Sequence, residues 1–162
     1  MAKNVRQVLW WKSLIAKPTY NGCKVSENFK SYSLFYEWYT KQIGFSNTGW
    51  QLDKDLLIKG NKVYSEDTCV LLPKEINTLI TKNDARRGEY PIGVSKHKRD
   101  GIYSATCNFG KDVQKYLGSF SCPMKAFSVY KAAKESYIKQ VAEQYKSQID
   151  HRAYQALLEY EV

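Results

Sequence analysis

The sequence predicts an α+β protein made of two modules. Three observations point there. Residues 50–82 read strand, loop, strand, helix, a ββα unit. Ile102–Phe109 alternates well, between turn signals on both sides, like the middle strand of a small antiparallel sheet. The segment after it is apolar at helical spacing over more than five turns (3.6 residues each), enough for a helix on which that sheet can pack.

Element by element, Val5 to Lys17 reads as a short helix. Val8, Trp11 and Ile15 share one face, and Pro18 ends it. Asn21-Gly22 makes a turn. Asn28 to Ile43 reads as one aromatic-rich helix stopped by Gly44, with Tyr32, Phe35, Tyr36 and Tyr39 at helical spacing. That stripe could stack on bases, but a core face is the better reading. A strand comes next over Gln51–Asp53, then a loop carrying Gly60-Asn61. The buried strand Cys69–Pro73 is next, and a helix runs from Lys74 to Lys82. Polar Asn83–Pro91 is read as the domain boundary.

In the second half, Ile92–Lys96 is the first strand and "HKRDG" the turn, with Asp100-Gly101 as its hairpin signal. Ile102–Phe109 and Val113–Gly118 are the second and third strands. Tyr103, Ala105, Cys107 and Phe109 share one face; Ile102, Ser104, Thr106 and Asn108 share the other. A helix then starts with Ser121 or Cys122 as its cap and Pro123 in the first turn. Its apolar stripe is Ala126, Tyr130, Ala133, Tyr137, Val141 and Tyr145. A last short helix runs from Ile149 to about Glu159.

The net charge of +9 calls for an anionic partner, and nucleic acid is the commonest. Residues 81–120 carry 8 basic and 4 acidic groups, as large an excess as the whole of residues 1–80 with 11 and 7. The basic charge is therefore densest in the middle of the chain. The cysteines Cys23, Cys69, Cys107 and Cys122 have no C-x-x-C spacing, which argues against a structural zinc. Free buried thiols in a reducing compartment fit better. No apolar run reaches the ~20 residues that span a bilayer. The first residues lack the uninterrupted apolar core of a signal peptide, so a cytoplasmic protein is expected, with no membrane association.

The second half resembles the AP2 DNA-binding domain over about Ile92–Glu135. The likeness rests on the order and spacing of "GVSKHKRDGIYSATCNF", "KYLGSF" and "KAFSVYKAAKE". Gly93, Val94, Ala105, Leu117, Gly118, Phe120, Ala126 and Tyr130 fit the family pattern. The resemblance implies a three-stranded sheet with one face in the DNA major groove and the other on the helix. Ser95, His97, Arg99, Thr106, Asn108, Gln114 and Tyr116 stand at positions matching the DNA-facing side chains, where plant members carry mostly arginine and tryptophan. Arg99 can take a guanine bidentately. Lys96, Lys98 and Lys115 would add phosphate contacts.

The first half, from about Val8 to Leu79, resembles HNH endonucleases of the bacteriophage homing type, which often carry an AP2 domain behind the nuclease. The likeness includes Trp11, "YNGCKVSENFKSYSLFYEW" and "GWQLDKDLLIKGNKVYSEDTCVLLPKEIN", and is close to a phage subgroup that itself writes L-D-K-D. It implies a ββα-metal site with Asp53 as first ligand of a divalent ion (Mg²⁺ or Mn²⁺) and Asn77 as last. Lys54 stands where the general-base histidine is expected, and Asn61 braces the loop as the family's middle asparagine does. A positioned general base contributes on the order of 10²–10⁴-fold. A lysine, with a pKa of ~10.4, is a cation at pH 7 and cannot accept the proton. Asp53 and Asp55 flank it and hold its charge. The only histidines, His97 and His151, lie outside the ββα stretch.

The expected organisation is an HNH-like module with flanking helices (1–82), a linker (83–91), an AP2-like domain (92–148) and a C-terminal helix (149–162). The resemblance implies one of two functions. One is a metal-dependent enzyme that nicks or cleaves double-stranded DNA with an altered site. The other is a metal-free, inactive descendant acting in the cytoplasm of an infected bacterium. It would serve as a DNA-binding repressor or as an inhibitor of a host or rival protein.

Overall fold

A computed structural model describes residues 11–13, 22–81, 88–110 and 113–162. It is mixed α and β. The described residues divide into two compact units: those of Met1–Lys74 with Ser147–Ala156, and those of Glu75–Lys146 with Leu157–Val162. The predicted helix Val5–Lys17 lies outside the described residues except for 11–13, which are helical. Most of the predicted linker, residues 83–87, also lies outside them.

The first unit holds β1 (Lys24–Val25), α1 (Glu27–Lys30), α2 (Tyr32–Thr40), β2 (Trp50–Asp53), β3 (Val63–Tyr64) and β4 (Val70–Pro73). The single helix expected over Asn28–Ile43 is two helices. Ser31 is extended (φ −84°, ψ 119°), so it closes α1 and opens α2. The break has a packing reason. Six residues at 100° each would set Phe29 and Phe35 about 120° apart on a continuous helix. Across the break both are buried, with ring centroids 5.1 Å apart edge to face. Ser26 caps α1 by accepting the Phe29 N–H, and Ser26 and Asn28 both donate to Glu66 in the loop after β3.

Phe29, Phe35 and Cys69 form this unit's core, with Trp11, Trp38, Tyr39, Leu52 and Tyr64 packed on it. Phe35 and Tyr39 are thus core rather than stacking surface, as the sequence suggested. Gly44 ends the aromatic segment at φ +90°, where a Cβ would lie 2.1 Å from the Trp50 ring. β2 pairs antiparallel with β4, Asp53 opposite Val70, which is the expected strand–loop–strand. The parallel two-residue bridge between β1 and β3 was not expected.

The second unit holds α3 (Lys74–Ile80, from Glu75 on), β5 (Val94–Lys96), β6 (Tyr103–Asn108), β7 (Gln114–Phe120) and α4 (Pro123–Tyr145). The strands form one antiparallel sheet in the order β5-β6-β7. Of the two expected caps, Ser121 and Cys122, it is Cys122 that stands at the N-cap of α4, and Pro123 is in the first turn as expected. Ala105 and Cys107 from β6 meet Ala126 and Tyr130 from α4 in a buried cluster, with Tyr103, Phe109, Leu117 and Phe120 against it. Small side chains at 105, 107 and 126 let helix and sheet approach closely. Gly93 completes the fit: at φ +75°, its missing Cβ would sit 2.1 Å from the Tyr130 ring. A final helix, α5 (His151–Leu158), ends near where the sequence placed it.

Candidate nucleic-acid interface and candidate metal site

The sheet face turned away from α4 can be read from register, because paired residues share a face. Ser95, Ser104 and Ser119 form one row, Thr106 and Tyr116 a second, Asn108 and Gln114 a third. The face carries no charged side chain along these rows. Its polar groups are tied to one another: Ser95 and Ser104 hydroxyls are 2.8 Å apart, Tyr116 and Ser119 hydroxyls 2.6 Å apart, and Gln114 Nε2 donates to Thr106 Oγ1 at 3.4 Å. Asn108 Oδ1 accepts the Gly110 N–H at 2.9 Å, which fixes the amide at the strand end. Tyr116 is 63% exposed, the most open of the exposed large apolar side chains among the described residues.

A register irregularity makes this face continuous. Ala105 pairs with Gly118 and Thr106 with Tyr116, leaving Leu117 as an extra residue. Without it, residues 116 and 119 would point to opposite faces. With it, Tyr116 and Ser119 stand on the same side. Ser104 and Ser119 were not among the residues expected to face DNA. Alternation gave the side of Ser104, but the bulge hid that of Ser119.

The basic residues stand elsewhere. Lys96 is opposite Tyr103, and Lys115 opposite Cys107, both in register with the helix-facing rows. Lys96 Nζ lies 5.7 Å from the Tyr103 ring centroid and Lys115 Nζ 5.0 Å from that of Phe109. Both remain exposed and flank the sheet instead of standing on its outer face. His97, Lys98 and Arg99 are exposed in the β5–β6 hairpin. That hairpin is closed by His97 N–H to Ile102 O at 2.8 Å and Gly101 N–H to His97 O at 3.1 Å.

In the first unit, Asp53 ends β2 and organises the start of the loop beyond it. Its Oδ1 accepts the N–H of Asp55 at 2.9 Å and of Leu56 at 2.7 Å. Burial nevertheless raises the Asp53 pKa above the ordinary aspartate value, with those two N–H bonds and Lys54 opposing and Asp55 adding to the rise. Lys54 is only 12% exposed; its ammonium bonds Asp55 and lies 5.4 Å from the Tyr64 ring centroid. Burial pulls its pKa down, but the hydrogen bond and charge of Asp55, with smaller help from Cys23 and Tyr64, carry it above the usual lysine value. Lys54 is therefore a paired cation. Nearby, Cys69 is fully buried, and burial pushes its thiol up to about 12, so it stays neutral.

Asn61 ties the loop shut. Its Nδ2 donates to the carbonyls of Lys54 and Val63, both at 2.8 Å, and its Oδ1 accepts the Val63 N–H at 3.1 Å. The loop from Lys54 to Val63 is thereby clamped across its neck by one side chain. Asn77 lies half-buried on α3, in the second unit, and its carbonyl accepts from Thr81.

The resemblance implies a divalent ion at Asp53. Asp53 Oδ1 is engaged by two backbone N–H groups, so a ligand role would fall to Oδ2. Among the described residues no group of three or more His, Cys, Asp or Glu side chains could hold a metal. An ion at Asp53 would need amide, phosphate or water oxygens to complete its shell, which suits Mg²⁺ or Mn²⁺ better than zinc.

Among the described residues there is no disulfide, and no helix is long and apolar enough to cross a membrane. Neither the protein-family models, the curated proteins nor the solved structures include a match to this chain.

Proposed function

We propose that this chain is a DNA-binding protein descended from phage homing nucleases of the HNH type, with an AP2-like reading domain. The observation that carries the reading is the outer face of β5-β6-β7: a row-ordered polar surface, uncharged at its centre, with cations at its hairpin and flanks. Such a surface pairs base-edge hydrogen bonding with phosphate positioning. The +9 net charge supports the same partner class.

The ββα site in this reading keeps the strand-end acid and the loop clamp but has no proton acceptor at position 54. Lys54 is held charged by Asp55, so hydrolysis through a general base at that position is lost. Asp53 would be the metal ligand that the first unit keeps. DNA binding is then the principal activity, and the protein acts as a repressor or as an occluding factor in the cytoplasm of an infected cell.

The test uses the full chain. Fluorescence anisotropy with duplex DNA should show binding that weakens steeply with salt. Supercoiled plasmid incubated with Mg²⁺, Mn²⁺ or EDTA should stay intact or nick slowly. Rapid metal-dependent cleavage would return the enzyme reading. Absence of duplex binding at low salt would sink the proposal and leave a protein-directed inhibitor.

A further inference from the structure

We infer that the sheet face reads an A·T-rich stretch of about five base pairs in the major groove, with Asn108 and Gln114 as the adenine-reading side chains and the Tyr116 ring against a thymine methyl. This rests on the DNA-binding reading above and goes beyond it by naming the sequence class.

The first ground is what the face lacks. Guanine is read through its two acceptors by arginine or lysine. The rows Ser95-Ser104-Ser119, Thr106-Tyr116 and Asn108-Gln114 contain neither. The sheet's lysines lean instead on the rings of Tyr103 and Phe109, in register with the helix-facing rows.

The second ground is what the face holds. Adenine offers N7 as acceptor and N6–H as donor, the complement of a carboxamide. Two carboxamides stand directly opposite each other at the sheet's end, Asn108 and Gln114. Asn108 is set in advance: the Gly110 N–H occupies one lone pair of Oδ1, leaving the second for N6–H and Nδ2 for N7. The Tyr116 hydroxyl is engaged by Ser119, so its open ring presents apolar surface, which suits a thymine methyl. In the serine row Ser95 and Ser104 are tied to each other and Ser119 to Tyr116, with Ser104 only 5% exposed, so the row acts as a spacer.

The length comes from strand geometry. Successive outward residues on a strand are about 6.8 Å apart. Base pairs rise ~3.4 Å, so adjacent rows are about two steps apart and three rows span about four steps. Arg99, in the hairpin beyond the serine row, is placed for a guanine at one end of the stretch.

The test is selection of full-length protein on randomised duplex DNA, followed by anisotropy on the selected site. The expected result is an A·T-rich core. Replacing its adenines by 7-deazaadenine should weaken binding about 5- to 150-fold, the range of one bidentate contact. Gln114→Ala, and Asn108→Asp, which keeps the acceptor for Gly110 and removes the donor, should lose the preference for A·T over G·C. Thermal melts of both variants should match the parent. A G·C-rich core, or indifference to deaza substitution, overturns this inference and leaves the DNA-binding reading standing. No duplex binding at any salt overturns both.

Discussion

Asp53 is held as an anion in a place that penalises the charge. Its raised pKa means that the folded state binds the proton more readily than the unfolded chain. The stability penalty is therefore present at neutral pH and fades as pH falls through the raised value. Asp53→Asn keeps an acceptor for the Asp55 and Leu56 N–H groups and removes the charge. The melting temperature should rise at pH 7, and the gain should shrink towards pH 4. An unchanged or lower melting temperature at pH 7 would show that the carboxylate stabilises the fold after all. One residue on, Lys54→His restores an acceptor with a pKa of ~6.5. If Asp53 still holds Mg²⁺ or Mn²⁺, plasmid nicking should rise on the order of 10²-fold or more. If Lys54→His stays inert while DNA binding is intact, the ligand geometry has gone along with the base.

The strands and helices show which elements local sequence encodes. The three strands of the second unit were legible because alternation and the Asp100-Gly101 turn agree, and the faces of β6 came directly from parity. The start of α4 was legible from Pro123, while the cap stayed open between Ser121 and Cys122 because either can precede a proline-led first turn. The Ser31 break was not, because Tyr32, Phe35, Tyr36 and Tyr39 keep helical spacing through it, and only the joint burial of Phe29 and Phe35 reveals it. The β1–β3 bridge has two residues on each side, too few for any period. Of the candidate site, the role of Asn61 as a loop brace was implied by the HNH resemblance, not by local sequence, and its bonds to Lys54 and Val63 are what the fold adds. The back-facing register of Lys96 and Lys115 was implicit in parity. At this scale Gly93 is the sharpest test. Gly93→Ala forces both a positive φ and a collision with Tyr130, and should destabilise by about 2–4 kcal/mol. Urea denaturation should show a lower midpoint with an unchanged slope. A shift under ~0.5 kcal/mol, the scale of a neutral surface change, would mean that Tyr130 is not seated there.

For the whole molecule, the distribution of charge matters more than its sum. Each phosphate neutralised contributes ~0.9 to the slope of log K against log salt. With Lys98 as a phosphate contact, the slope should be about −0.9 or steeper. Lys98→Ala, at an exposed hairpin position, should flatten it by ~0.9 on every duplex, matched or not. A Lys98→Ala loss confined to one sequence would move that residue from positioning to reading.

The extra residue in β7 leaves the strand unequally tolerant of length changes. Losing Leu117 would straighten the strand, yet Thr106 would still face Tyr116 and Ala105 would still face Gly118. Only the leucine's place against the core would be empty. Gaining a residue there has no such relief: absorbed as a one-step slip, it would turn Gln114 and Tyr116 inward and Lys115 outward. A single-codon deletion at 117 should thus yield a weakened but folded protein with its DNA preference intact. A single-codon insertion should abolish the preference, because the lettering of the surface would be reversed while its composition stayed nearly the same.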